Sequence, residues 1–177
     1  AHDQEHLIAG VDFAPTVFDI LGVKPPGGMD GSSFLPTLRG ENQKNREFVY
    51  THINTIASKR AYPMRSVQTA RYGLIWNGWS DGETLFHNES QSGLTWKAMV
   101  AAAKTDEAIA KRVELFAHRV PLEFYDYSQD PDALNNLIHD AKSKESIRQL
   151  TDKMIQYMKT TNDPQLDAFE TTLAKQK

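Results

Sequence analysis

No cysteine occurs among the 177 residues, and that absence removes a disulfide framework, a thiolate metal site and a thiol nucleophile together. It also leaves the redox compartment unreadable from the sequence. No apolar run approaches the roughly 20 residues that span a bilayer, and the polar start Ala1-His2-Asp3-Gln4-Glu5-His6 has no signal-peptide core. The chain does not begin with Met, and its first amphipathic stretch follows soon after the start, so a piece cut from something longer is expected. Lys and Arg number 20 against 23 Asp and Glu, for a formal charge of -3. With no basic stripe interleaved with aromatics, nucleic acid is excluded as a partner. There is no Gly-x-Ser-x-Gly elbow and no Gly-rich phosphate loop.

What is present is globular. Hydrophobic residues make up 40% and charged residues 24%, and a chain of this length buries roughly 70% of its unfolded surface, enough for a core without staples. Leu7 to Val23 repeats apolar residues at helical steps, with Asp12 as the expected cap, Pro15 in the first turn and Gly22 as the stop. A turn-rich connection through Gly31 follows, then a short helical turn within Ser32 to Leu38, and a domain seam is expected in Arg39 to Arg46. Residues 1–45 thus form one unit and 46–177 another. Phe48 to Ile53, Tyr62 to Thr69, Tyr72 to Trp76 and Leu122 to Asp126 are β-branched and aromatic and predict four strands, the second and third forming a hairpin. Leu94 to Ala103 and Asp106 to His118 have helical composition and predict an insertion packed on the sheet. Ser143 to Thr160 is amphipathic at three- and four-residue steps, Asn162-Asp163-Pro164 ends it, and the tail suits a further short helix. The class is α+β: an antiparallel sheet of about four strands covered on one face by helices.

Candidate residues are few. His52, with Lys59 and Arg60 just beyond it, stands where a strand gives way to a loop, the place where binding residues tend to sit. Neighbouring cations suit an anionic ligand, so these three are the candidate substrate-binding residues; the competing reading is an ordinary polar cluster at a sheet edge. Arg65 shares a strand face with Val67 and serves equally as an ion-pair partner or a ligand contact. Trp76, Trp79 and Trp96 could stack on sugar rings, with Trp76 expected in the core and Trp79, beside Ser80-Asp81-Gly82, the better candidate. His2 and His6 are spaced like zinc ligands but read better as a free terminus. Asp126, Asp130 and Asp132 miss the spacing, Gly and Glu of a calcium loop and read as a solvated turn. No catalytic residue and no metal ligand is assigned within the chain.

Four stretches in order resemble the C-terminal third of sulfatases: Leu7 to Val23; Met29-Asp30-Gly31-Ser32-Ser33-Phe34-Leu35-Pro36; Tyr62 to Thr69 with Arg71-Tyr72 and Leu74 to Asn77; and Leu122 to Asp126 with Asp130-Pro131 and Asn135-Asn136-Leu137. Tyr62-Pro63-Met64-Arg65-Ser66-Val67-Gln68 is most similar to the heparan N-sulfatase (N-sulfoglucosamine sulfohydrolase, or sulfamidase) branch. Departures are Ser32 in place of the usual Arg, Gly73 in place of a frequent Lys or Arg, and Ala98 to His118, which matches poorly.

The resemblance implies a member of the alkaline-phosphatase superfamily that hydrolyses sulfate from glycosaminoglycan-type sugars. It implies calcium and a formylglycine made within a Cys/Ser-x-Pro-x-Arg motif, which this chain does not contain. It places the nucleophile, the metal carboxylates and the sulfate-gripping residues upstream, so the chain alone is expected to be inactive. Its partners would then be the larger sulfatase domain and a sulfated sugar, at work outside the cytoplasm or in lysosomes. Two other readings remain open at this point: a non-catalytic carbohydrate or protein interaction module, and a phosphate-ester hydrolase of the same superfamily.

Overall fold

The computed structural model describes residues 6–42 and 46–175. Four strands, β1 (Val49–Thr55), β2 (Ala61–Gln68), β3 (Tyr72–Asn77) and β4 (Leu122–Asp126), form one sheet in the order of the sequence. All neighbours pair antiparallel, through Tyr50↔Val67, Val67↔Leu74 and Leu74↔Phe124. Strict alternation of side chains then puts Tyr50, Val67, Leu74, Trp76, Leu122 and Phe124 on one face.

That face is closed by α5 (Lys144–Thr160) and α6 (Leu166–Lys175). Leu150, Met154 and Met158, four apart on α5, pack with Phe169 of α6 against the sheet residues and form the core. Trp76 is buried there, and its indole Nε1 donates to Thr172 Oγ1 at 3.0 Å. Tyr125 does not share that face: it pairs with Gly73, one step out of phase with Trp76, and points to the opposite side.

Between β3 and β4 the chain makes α3 (Leu94–Ala102) and α4 (Glu107–His118). A second aromatic cluster holds this insertion: Tyr62 and Phe86 meet edge to face at 4.8 Å, Trp79 stacks on Phe86, and Phe86 and Trp96 both reach Phe116 of α4. Trp79 is therefore buried in this cluster and is no sugar platform, contrary to the sequence expectation.

The first segment, residues 6–42, contains a 3-10 turn (Gly10–Asp12), α1 (Phe13–Ile20) and α2 (Leu35–Leu38). The helix is shorter than its hydrophobic pattern suggests. Gly22 ends it with φ +64, a conformation L side chains rarely adopt. Asp12 occupies the N-cap position of α1 but makes no capping bond to it; its carboxylate is engaged elsewhere, as described next. The seam expected in Arg39 to Arg46 falls partly on residues 43–45, outside the described residues, as does His2.

Candidate functional site

The β1–β2 hairpin closes through Ile56 N–H to Arg60 O at 3.1 Å and Lys59 N–H to Ile56 O at 2.8 Å. Lys59 holds φ +63 at its tip, an unusual backbone state for a residue with a side chain, of the kind that gathers at binding loops. His52, Lys59 and Arg60 are all exposed. They are not all brought together. His52 sits on the helix-covered face, opposite Arg65 in the register, and lines a cleft of about 690 Å³ between β1, the end of α5 and the first segment. Arg60 lines two smaller clefts, of about 390 and 430 Å³, with His87.

Fixed pairs build the wall of the large cleft. Arg65, nearly buried, sends Nε and Nη2 to the two oxygens of Asp163 at 2.5 and 2.8 Å and Nη1 to the carbonyls of Ile53 and Met64. This fork holds the Asp163 carboxyl below the usual carboxylate range, overcoming partial burial. Arg65 is thus a structural ion-pair partner. Tyr50 and Tyr157 stack at 4.1 Å with ring planes 3° apart, and both line the cleft. Among the described residues, neither the His52 nor the Asn54 side chain makes a hydrogen bond.

The polar residues of the family-like stretches have structural partners. Burial pushes the Asp12 carboxyl upward, but it accepts from Ala9 N–H, Ser32 N–H and Arg46 Nη2, and these leave it below its ordinary value. Gly31 admits no Cβ, since one would stand 2.0 Å from Val11 O. Thr16 Oγ1 bridges Asp12 O and Phe34 N–H, and Ser33 Oγ donates to Asp19. Glu123, fully buried on the far face of the sheet, accepts from Asn77 Nδ2 at 2.6 Å and Tyr125 Oη at 2.5 Å, with Arg119 Nη1 at 3.4 Å. Asp126 is forked by Arg71 and bonded by Ser128, which pulls its carboxyl down to about 2. It is an ion-pair anchor and no solvated turn. Asn136 accepts from Phe124 N–H at 2.9 Å and donates to Leu122 O at 3.1 Å, covering the outer edge of β4. Gly73 stands where a longer residue is common because Tyr127 fills the space: a Cβ there would lie 2.1 Å from its hydroxyl.

Sequence reasoning missed Asp163, Asn54 and Tyr157. Asp163 was read only as a helix stop, and its tie to Arg65, 98 residues away, has no local signature. Asn54 lies just past the expected strand end at Ile53, and Tyr157 was legible only as a helix position. Among the described residues no three His, Asp or Glu side chains converge to hold a metal ion, and the sequence has no Cys/Ser-x-Pro-x-Arg motif to carry a formylglycine.

Comparison with known proteins agrees with this architecture. An ulvan-active sulfatase of Formosa agariphila is 32% identical over 160 residues, which is 89% of this chain and 30% of that protein. The fold of a 2-O GAG sulfatase superposes with a TM-score of 0.56 at 22% identity, over 86% of this chain and 25% of that one. A protein solved in complex with its substrate D-glucosamine-2-N,6-O-disulfate gives 0.56 at 21% identity, over 86% and 24%. The chain therefore spans about a third or less of the length of the relatives it matches. Residues 1–91 match the family described as N-sulphoglucosamine sulphohydrolase, C-terminal, and with its α+β fold shared by sulfatases, the chain belongs to that sulfatase C-terminal family.

Proposed function

We propose that the chain is the C-terminal part of a sulfuric ester or sulfamate hydrolase acting on sulfated sugars, N-sulfoglucosamine among them. It contributes packing and one wall of the substrate cleft. One observation carries the reading. The polar residues of the family-like stretches, Asp12, Arg65, Glu123, Asp126 and Asn136, are tied into the scaffold, whereas His52, Lys59 and Arg60 project from the β1–β2 hairpin with exposed side chains. A rigid frame that presents an exposed imidazole on β1 and two cations at the hairpin end suits contact with a sulfated sugar and supplies no bond-breaking group of its own.

Residues 1–45 complete the larger α/β domain in this reading, and 46–177 form the C-terminal subdomain. The exposed Val11, Phe13, Ile20 and Leu21 support it, since an apolar helix face at the surface marks a docking site. Nucleophile, calcium and formylglycine belong to that larger domain, where a charged centre would stabilise the departing sulfuryl group.

Contacts from His52, Lys59 and Arg60 would be made to substrate and transition state alike. Their loss then raises KM more than it lowers kcat. The test is His52→Ala and Arg60→Ala in the enzyme that contains this chain, assayed on a sulfated glucosamine and on a small aryl sulfate. A KM rise confined to the sugar is expected. Equal kcat losses on both substrates would assign the loop to bond cleavage, and no loss on either would return it to an ordinary solvated turn.

A further inference from the structure

We propose that the cleft beside His52 is a saccharide subsite that takes the hydroxylated, uncharged part of a sugar, leaving the anionic group to Lys59 and Arg60 at the end of the β1–β2 hairpin. The inference rests on the reading of the chain as part of a sulfated-sugar hydrolase.

Charge argues first. Two cations that line the cleft are already engaged, Arg65 by Asp163 and Arg46 by Asp12, and the Asp163 and Asp30 carboxylates line it as well. A bare sulfate there would have to compete with these carboxylates for the arginines. Hydrogen bonding argues next: His52 and Asn54 of β1 both line the cleft, and their polar atoms are open to a ligand. An amide and an imidazole offer a donor and an acceptor side by side, which is what a sugar hydroxyl needs. The floor supplies the third argument, because Phe48 and the stacked Tyr50 and Tyr157 give an aromatic surface for the apolar C–H face of a ring. At about 690 Å³ the cleft has the size of a small-ligand site.

The test titrates the 177-residue chain with N,N′-diacetylchitobiose (here chitobiose), an uncharged disaccharide, and separately with inorganic sulfate, following side-chain resonances by NMR. Chitobiose is expected to shift the Asn54 amide and the Tyr157 ring, undiminished in about 0.5 M salt, where charge contacts are screened. Asn54→Ala, exposed on an edge strand and harmless to folding, is expected to weaken this binding about threefold to tenfold, the worth of a hydrogen bond or two. Cleft resonances that answer to sulfate and not to chitobiose, or an Asn54→Ala chain that binds like wild type, would overturn the subsite. In the enzyme containing the chain, the same substitution is expected to raise KM for a sulfated oligosaccharide by a similar factor and leave a small aryl sulfate unchanged. Chitobiose binding without any sulfate hydrolysis would keep the subsite and sink the hydrolase reading. Hydrolysis without chitobiose binding would do the reverse.

Discussion

On α5, Leu150, Met154 and Met158 are buried against the sheet, whereas on α1 the similarly spaced Phe13, Val17 and Ile20 face outward, Phe13 with 68% of its surface exposed. Both helices carry the same kind of apolar stripe. The difference shows that such a stripe declares a need for a partner and does not say that the partner lies within the chain. The two regions are also held differently. Residues 46–175 are held by a shared apolar core, and residues 6–42 keep their shape through polar bonds centred on Asp12 and Thr16.

The contrast breaks first at the core. Trp76→Ala removes a ring buried among Phe124, Leu122 and Phe169 and is expected to cost about 3 to 5 kcal/mol in denaturant unfolding. Wild-type-like unfolding would mean that the helix-covered face is not the one assigned. A smaller loss is expected for Glu123→Gln, about 1 to 3 kcal/mol, because it weakens the buried bonds to Tyr125, Asn77 and Arg119. Melting should report it, and an unchanged Tm would show that the network adds nothing to the sheet.

Asp126→Asn sharpens the comparison through pH. The folded carboxyl lies at about 2, below its ordinary 3.8, so its stabilisation is fully present above that ordinary value and is lost as pH falls toward 2. The stability gap between wild type and variant should be constant near neutrality and close between about pH 4 and pH 2; a gap that persists at pH 2 would place its cause outside the Arg71 pair. Least affected should be Phe13→Ser with Ile20→Ser, expected within about 0.5 kcal/mol of wild type because neither ring nor side chain is covered. A loss near that of Trp76→Ala would show that α1 has a partner inside the chain.

Much of this fold was legible locally. β4 coincides with Leu122 to Asp126, and α5 with its amphipathic stretch, because period and turn chemistry agree there. β1 runs on to Thr55, past the expected end at Ile53, through an irregular register that no strand propensity encodes. Long-range partners account for the other differences. Trp79 looked loop-borne because Tyr62 and Phe86, which bury it, lie on separate segments. Asp12 looked like a cap because Ser32 and Arg46 are distant in the chain. Of the candidate site, the exposure of His52, Lys59 and Arg60 was readable from the turn they flank. The separation of His52 from Arg60 was not, since alternation on a strand assigns faces only once the pairing is known.

Asn136 carries a consequence for assembly. Its side-chain amide, one acceptor and one donor, imitates a peptide unit laid along β4, and so acts as a one-residue counterfeit of a fifth strand. With that border sealed, the sheet can be extended from β1 alone. Any assembly that works by adding strands to this sheet must be directional, starting at β1 and running away from β4.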